Sequence, residues 1–206
     1  IPFVPTWATL DLYSHNEPNL VGTFGVAASR YGNFAVQKAD LLICIGTRLS
    51  YQLTGAKKDT FSPYSKKVMV DIDKVELENE NGVKPDIAIN TCAKKFLNHI
   101  NSKIIETDQD EVKAWKEWIV DLKQKFPICK TSYFDEKRFV NPYVFFDVLS
   151  DFLKKDDLIL PDASANLIWA YQALKPKKGQ KIFTALNHSP MGYSVAAAVG
   201  AQFSNM

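Results

Sequence analysis

The chain has 206 residues, room for one domain or two small ones, and its 46% hydrophobic and 23% charged residues are the balance of an ordinary globular protein. A formal charge of +2, scattered along the sequence, gives no reason to expect a nucleic-acid partner, and no apolar run approaches the roughly 20 residues of a membrane span, so no membrane partner is expected. Cys44, Cys92 and Cys129 are odd in number and form no CxxC, which reads as reduced thiols in a cytoplasmic protein.

In chain order, residues 30–38 have a helical pattern. Residues 41–45 are apolar throughout, as buried parallel strands are. Residues 67–72 read as a second strand and 86–89 as a short third. Thr91 is placed to cap a helix running to about Asn101, with Phe96, Leu97 and Ile100 on one face. This alternation predicts an α/β fold with a Rossmann-like parallel sheet over residues 1–101.

A helical connector is expected over 102–140. Asp108 is placed to cap a helix whose Val112, Trp115, Ile119 and Leu122 form an apolar stripe. The tryptophans read as packing groups rather than ligand-stacking ones. From Asn141 a second α/β unit is expected to run to residue 206. Asn141 suits an N-cap and Pro142 the first helical position, with Phe145, Phe146, Leu149, Phe152 and Leu153 as a core face. Residues 158–160 read as a strand, 165–174 as a helix and 181–184 as another strand. Lys175, Lys177, Lys178 and Lys181 read as a solvated loop.

Several strings carry chemistry by their position. Ile45-Gly46-Thr47-Arg48-Leu49 ends a strand in a glycine, where backbone approaches a ligand closely, with an arginine fork two residues on. Gly22-Thr23-Phe24-Gly25, Asn33-Phe34-Ala35-Val36-Gln37 and Val70-Asp71-Ile72-Asp73 lie around it in sequence. Asp162-Ala163-Ser164-Ala165-Asn166 follows a strand and opens a helix, whose N-terminus attracts anions. Ser189-Pro190-Met191-Gly192 opens a small-residue helix. His15, His99 and His188 have no metal-ligand spacing, and His188 reads equally as a surface-loop histidine or a proton-transfer group.

Together and in this order, these strings resemble the thiamine-diphosphate enzymes of the acetolactate synthase type. The match is to their middle domain, which has the deoxyhypusine synthase-like Rossmann form, and to the start of their cofactor-binding C-terminal domain. Thr6-Trp7-Ala8-Thr9 and Ser29-Arg30-Tyr31-Gly32-Asn33 resemble the branch found among surface-polysaccharide genes. The resemblance implies decarboxylation of a 2-keto acid such as pyruvate, with transfer of the two-carbon unit to a keto acid or keto-sugar. It implies thiamine diphosphate at Asp162, Ala163, Ser164, Asn166, Ser189, Met191 and Gly192, with Met191 beneath the aminopyrimidine and the Ser189 carbonyl accepting from its amino group. It implies FAD or ADP at Thr6, Trp7, Gly22, Thr23, Gly46, Thr47, Arg48, Asp71 and Ile72.

Mg2+ is implied too, but the Gly-Asp-Gly motif that holds it is not found after Gly200, so no metal ligand or catalytic residue is assigned within this chain. Ser50-Tyr51-Gln52 and Cys92 stand where relatives carry polar flavin contacts. A homo-oligomeric parent, dimer or tetramer, is implied. Because the sequence opens at Ile1 and closes within a small-residue helix, it is expected to be an internal piece of a longer enzyme, inactive alone. Two rivals remain at this point: a non-catalytic nucleotide-binding module of the sirtuin and deoxyhypusine synthase form, and a flavin oxidoreductase.

Overall fold

The computed structural model describes residues 1–103, 109–186 and 188–204. After a 3-10 turn over Trp7–Leu12, the elements are α1 (Arg30–Lys38), β1 (Leu41–Ile45), α2 (Tyr51–Thr54), β2 (Lys66–Asp71), α3 (Lys74–Leu77), β3 (Ile87–Asn90), α4 (Ala93–Asn101), α5 (Gln109–Lys125), α6 (Pro142–Phe152), β4 (Leu158–Ile159), α7 (Ser164–Ala173), β5 (Lys181–Ile182) and α8 (Tyr193–Phe203). β1, β2 and β3 form a parallel sheet in that order, with Ile43 opposite Val68 and Val68 opposite Ile87. β4 and β5 form a separate parallel pair, Leu158 opposite Lys181. The chain is thus α/β with a parallel, Rossmann-like three-stranded sheet, as its apolar strands and intervening helices predict.

Local chemistry explains how the first sheet is entered. The Ser29 side chain accepts from the Gly32 N–H and caps α1. Asn33 clamps the preceding turn: its side chain accepts from the Gly25 N–H at 2.8 Å and donates to the Gly25 carbonyl at 3.0 Å. Gly32 lies so near the Thr23 carbonyl that a Cβ there would sit 2.0 Å from the oxygen. Val36, on the inward face of α1, joins Phe24, Leu49, Phe61, Met69, Leu77 and Val83 in one core. α5 lies on α1 through Val21, Ala35 and Ile119, and Trp115 stacks on Trp118 with ring centroids 4.7 Å apart. The connector helix therefore packs on the first sheet's unit, and its tryptophans are packing groups.

The second core gathers Phe146, Leu167, Ala170, Tyr171, Leu174 and Ile182, and with them Leu10 from the N-terminal turn. An Asp11 carboxylate oxygen also accepts from the Ile182 N–H at 3.2 Å. Residues 7–12, expected with the first sheet, are thus packed on the second pair of strands. Asn141 caps α6 by accepting from the Tyr143 N–H, with Pro142 in the first turn, as its sequence predicts.

Several expectations need correction. Residues 41–45 are not buried throughout: Leu41 is 50% exposed and Ile43 41%. β1 is an edge strand whose Leu42 and Cys44 pack into the core, while the face shared with the exposed Ile87 stays open. Thr91 does not cap α4; Cys92 holds the N-cap position, and Leu97 is exposed. On α6 the inward face is Phe146, Leu149, Ser150 and Leu153, whereas Phe145 and Phe152 point to solvent, because α7 covers one side only. The strand pattern over 181–184 shortens to β5. Of the four loop lysines, Lys178 and Lys181 are exposed as expected, whereas Lys175 pairs with Asp147 at 2.6 Å and Lys177 donates to the Asp151 carbonyl at 3.2 Å. Asp108 lies outside the described residues.

Candidate functional site

Two places hold the residues singled out from sequence. The first lies where β4 runs into α7 and where the chain turns into α8. Asp162, just past β4, has both carboxylate oxygens engaged: Oδ2 accepts from the Gly192 N–H and Oδ1 from the Ser194 N–H, each at 2.9 Å. The Asp162 N–H donates to the Asn166 side chain at 3.1 Å, and its carbonyl accepts from the Thr184 hydroxyl at 3.1 Å. One residue therefore ties β4, the segment after β5, α7 and the start of α8. The Ser194 and Gly192 N–H groups hold its carboxyl below the usual carboxylate range.

The structure brings Asp162, Asn166 and Gly192 together, and it adds two residues that the motifs did not reveal. Thr184 and Ser194 have no local signal, since Ser194 is 32 positions from its partner. Ser164 and Ser189 both hold positive φ, 58° and 43°, in conformations that cost a side-chain-bearing residue energy. Gly192 has φ 86°, and a Cβ there would meet nothing within 4 Å. Met191 is 90% exposed, an apolar side chain standing clear of any core, and His188 is exposed beside it. α7 starts at Ser164, and its N-cap, Ala163, offers no side-chain cap to the first turn. A helix start without a side-chain cap, a glycine with open space at its Cβ position and an exposed methionine leave room for a diphosphate and an aromatic ring.

The second place is the end of β1. Gly46 adopts φ 60° with open space where a Cβ would be, so ligand approach is unhindered there. Arg48, expected as the diphosphate fork, is instead paired with two carboxylates: its Nη2 lies 3.7 Å from Asp73 and its Nε 3.4 Å from Glu76. Asp71 accepts from the Asp73 N–H, and Ile72 is 75% exposed past the end of β2. The loop thus offers room, but its arginine must leave two acids before it can meet a phosphate.

The other residues expected here have different surroundings. A Cβ on Gly22 would lie 2.5 Å from the Tyr31 ring, so this glycine serves close packing rather than ligand approach. Thr23 is buried and its carbonyl accepts from Ser29. Trp7 packs on the second core, its ring 6.5 Å from that of Tyr171, and Thr6 bonds within its own turn to Thr9. Among the described residues no group of three or more His, Cys, Asp or Glu is placed to hold a metal, and no described helix is long and apolar enough to cross a membrane.

Residues 1–100 match the family described as thiamine pyrophosphate enzyme, central domain. The whole chain is 27% identical to acetolactate synthase 3, chloroplastic, of Brassica napus, covering 31% of that protein. It is also wholly covered by a 29% identical match to the acetolactate synthase large subunit of Cyanidium caldarium, spanning 34% of it. With the probable acetolactate synthase large subunit of Methanocaldococcus jannaschii it shares 28% identity over 98% of the chain and 34% of the relative. The chain spans about a third of the length of these relatives. Residues 1–100 match the thiamine pyrophosphate enzyme central domain, and over its whole length the chain is similar to acetolactate synthases.

Proposed function

We propose that the protein carrying this chain is a thiamine-diphosphate enzyme that decarboxylates a 2-keto acid such as pyruvate and passes the two-carbon unit to a carbonyl acceptor. Residues 1–101 serve as its middle domain, 102–140 as connector and 141–206 as the opening of its cofactor domain. The observation that carries this reading is the junction in which Asp162, just before α7, binds the Gly192 and Ser194 N–H groups, with the exposed Met191 next in sequence to Gly192.

Thiamine diphosphate, when bound, supplies the electron sink that decarboxylation requires. The chain's part is shape. The α7 N-terminus, with Ala163, Ser164 and Asn166, would hold the diphosphate, and Met191 would support the ring. The Ser189 carbonyl would accept from the ring's amino group, and Gly192 leaves the turn open. Mg2+ is proposed to bind through residues outside this chain. A keto-sugar acceptor, and with it a role in surface-polysaccharide synthesis, is favoured by Thr6-Trp7-Ala8-Thr9; a second keto acid is the other acceptor class. A cytoplasmic homo-oligomer with FAD or ADP at the Gly46 loop completes the proposal.

The Met191 role is tested in the full-length protein. Met191→Ala is expected to lower kcat more than it weakens cofactor binding, by about tenfold for each 1.4 kcal/mol of lost orientation. Full activity in that variant, or a loss wholly restored by excess cofactor, would reduce Met191 to a packing residue.

A further inference from the structure

We infer that Asp162 is a positioning residue, a carboxylate strut that fixes the Ser189–Gly192 turn under the cofactor and does not itself touch the diphosphate. The inference rests on the thiamine-site reading above. It begins with a gap in α8: Gly192 occupies the N-cap position and has no side chain with which to cap. Asp162 fills that role from 30 residues away in sequence, one oxygen on the Gly192 N–H and the other on Ser194. Both bonds are charge-assisted and sit at the positive end of a helix dipole.

The chemistry separates this role from direct ligation. A carboxylate has no donor to offer a diphosphate, and two like charges at one place repel. The one donor Asp162 owns, its backbone N–H, is spent on Asn166. Its hold on the turn is direct, because Gly192 follows Met191 immediately and Ser189 lies three residues before it. Ser189 and Gly192 both hold positive φ, so the turn between them is a conformation that needs outside support. The Thr184 hydroxyl on the Asp162 carbonyl braces the strut from the opposite side.

Amide hydrogen exchange and cofactor kinetics on the full-length protein test this, using Asp162→Ala and the near-isosteric Asp162→Asn. In the cofactor-free protein, exchange at Gly192 and Ser194 is expected to quicken by about tenfold or more in Asp162→Ala and by less in Asp162→Asn, with α7 unchanged. With cofactor saturating, kcat is expected to fall about tenfold in Asp162→Ala while the thiamine diphosphate Kd stays within about threefold of wild type. Unchanged exchange at both amides would overturn the strut. A large rise in Kd with normal kcat at saturation would make Asp162 a cofactor ligand and overturn the inference as well. If Asp162→Ala does not fold, Asp162→Asn decides by the same two measurements. Wild-type protein that binds no thiamine diphosphate would instead contradict the thiamine-site reading, and the positioning role would fall with it.

Discussion

At the scale of single residues, partners decide what each candidate can do. Arg48 is the clearest case. Its guanidinium is held by Asp73 and Glu76, so any diphosphate at the Gly46 loop competes with two carboxylates. Isothermal calorimetry with FAD or ADP should show Arg48→Ala weakening binding by about 1.5–3 kcal/mol, the range of hydrogen bonds to charged groups. Glu76→Gln should strengthen it by freeing the arginine. Unaltered affinity in both variants would mean the loop takes no diphosphate. The cysteines differ as sharply. Burial pushes the Cys44 thiol up to about 11, and burial raises Cys129 too, whereas the Lys95 and Lys94 backbone N–H groups at the start of α4 lower Cys92. Since the thiolate is the reactive form, limited alkylation read by mass spectrometry should label Cys92 well before Cys44 in folded protein. Preferential labelling of Cys44 would contradict the placement of β1 against the core.

At the scale of elements, burial rather than hydrophobicity ranks the aromatic residues of α6. Phe146 is 7% exposed in the second core, while Phe152 is 77% exposed. Phe146→Ala should cost about 3–5 kcal/mol in chemical unfolding, and Phe152→Ala much less in the same experiment. Equal losses would mean that α6 is rotated. The sequence could not separate these two phenylalanines, because apolar residues occupy both sides of this helix and only the placement of α7 says which is inside. Strongly patterned elements were easier to read. α1 and β1 fall where the sequence places them, and Asn141 with Pro142 announces α6 through local capping chemistry. The jobs of Gly32 and Asn33 are backbone contacts with Thr23 and Gly25, visible only once the turn closes on α1. At the candidate site, Asp162 and Gly192 were legible as motif members. Their bond to each other was not, since it joins segments 30 residues apart.

At the scale of the whole molecule, the apolar surface is unevenly covered. Val195, Val199 and Phe203 form a stripe along α8 at four-residue spacing, 72%, 59% and 82% exposed, and α8 has no buried residue. Phe145, Val148 and Phe152 make a similar exposed stripe on α6. The first sheet, the connector on α1 and the N-terminal turn on the second core are nevertheless well formed within these residues. The Asp162 junction therefore stands on packed elements, and the proposed cofactor site is built on them. The most direct measurement is thiamine diphosphate binding by the full-length protein in the presence of Mg2+, followed by carbon dioxide release from pyruvate on the same sample. Saturable binding, with decarboxylation that requires the cofactor and falls in Met191→Ala, is the expected result. A full-length protein that folds, yet neither binds thiamine diphosphate nor releases carbon dioxide from any 2-keto acid offered, would contradict it.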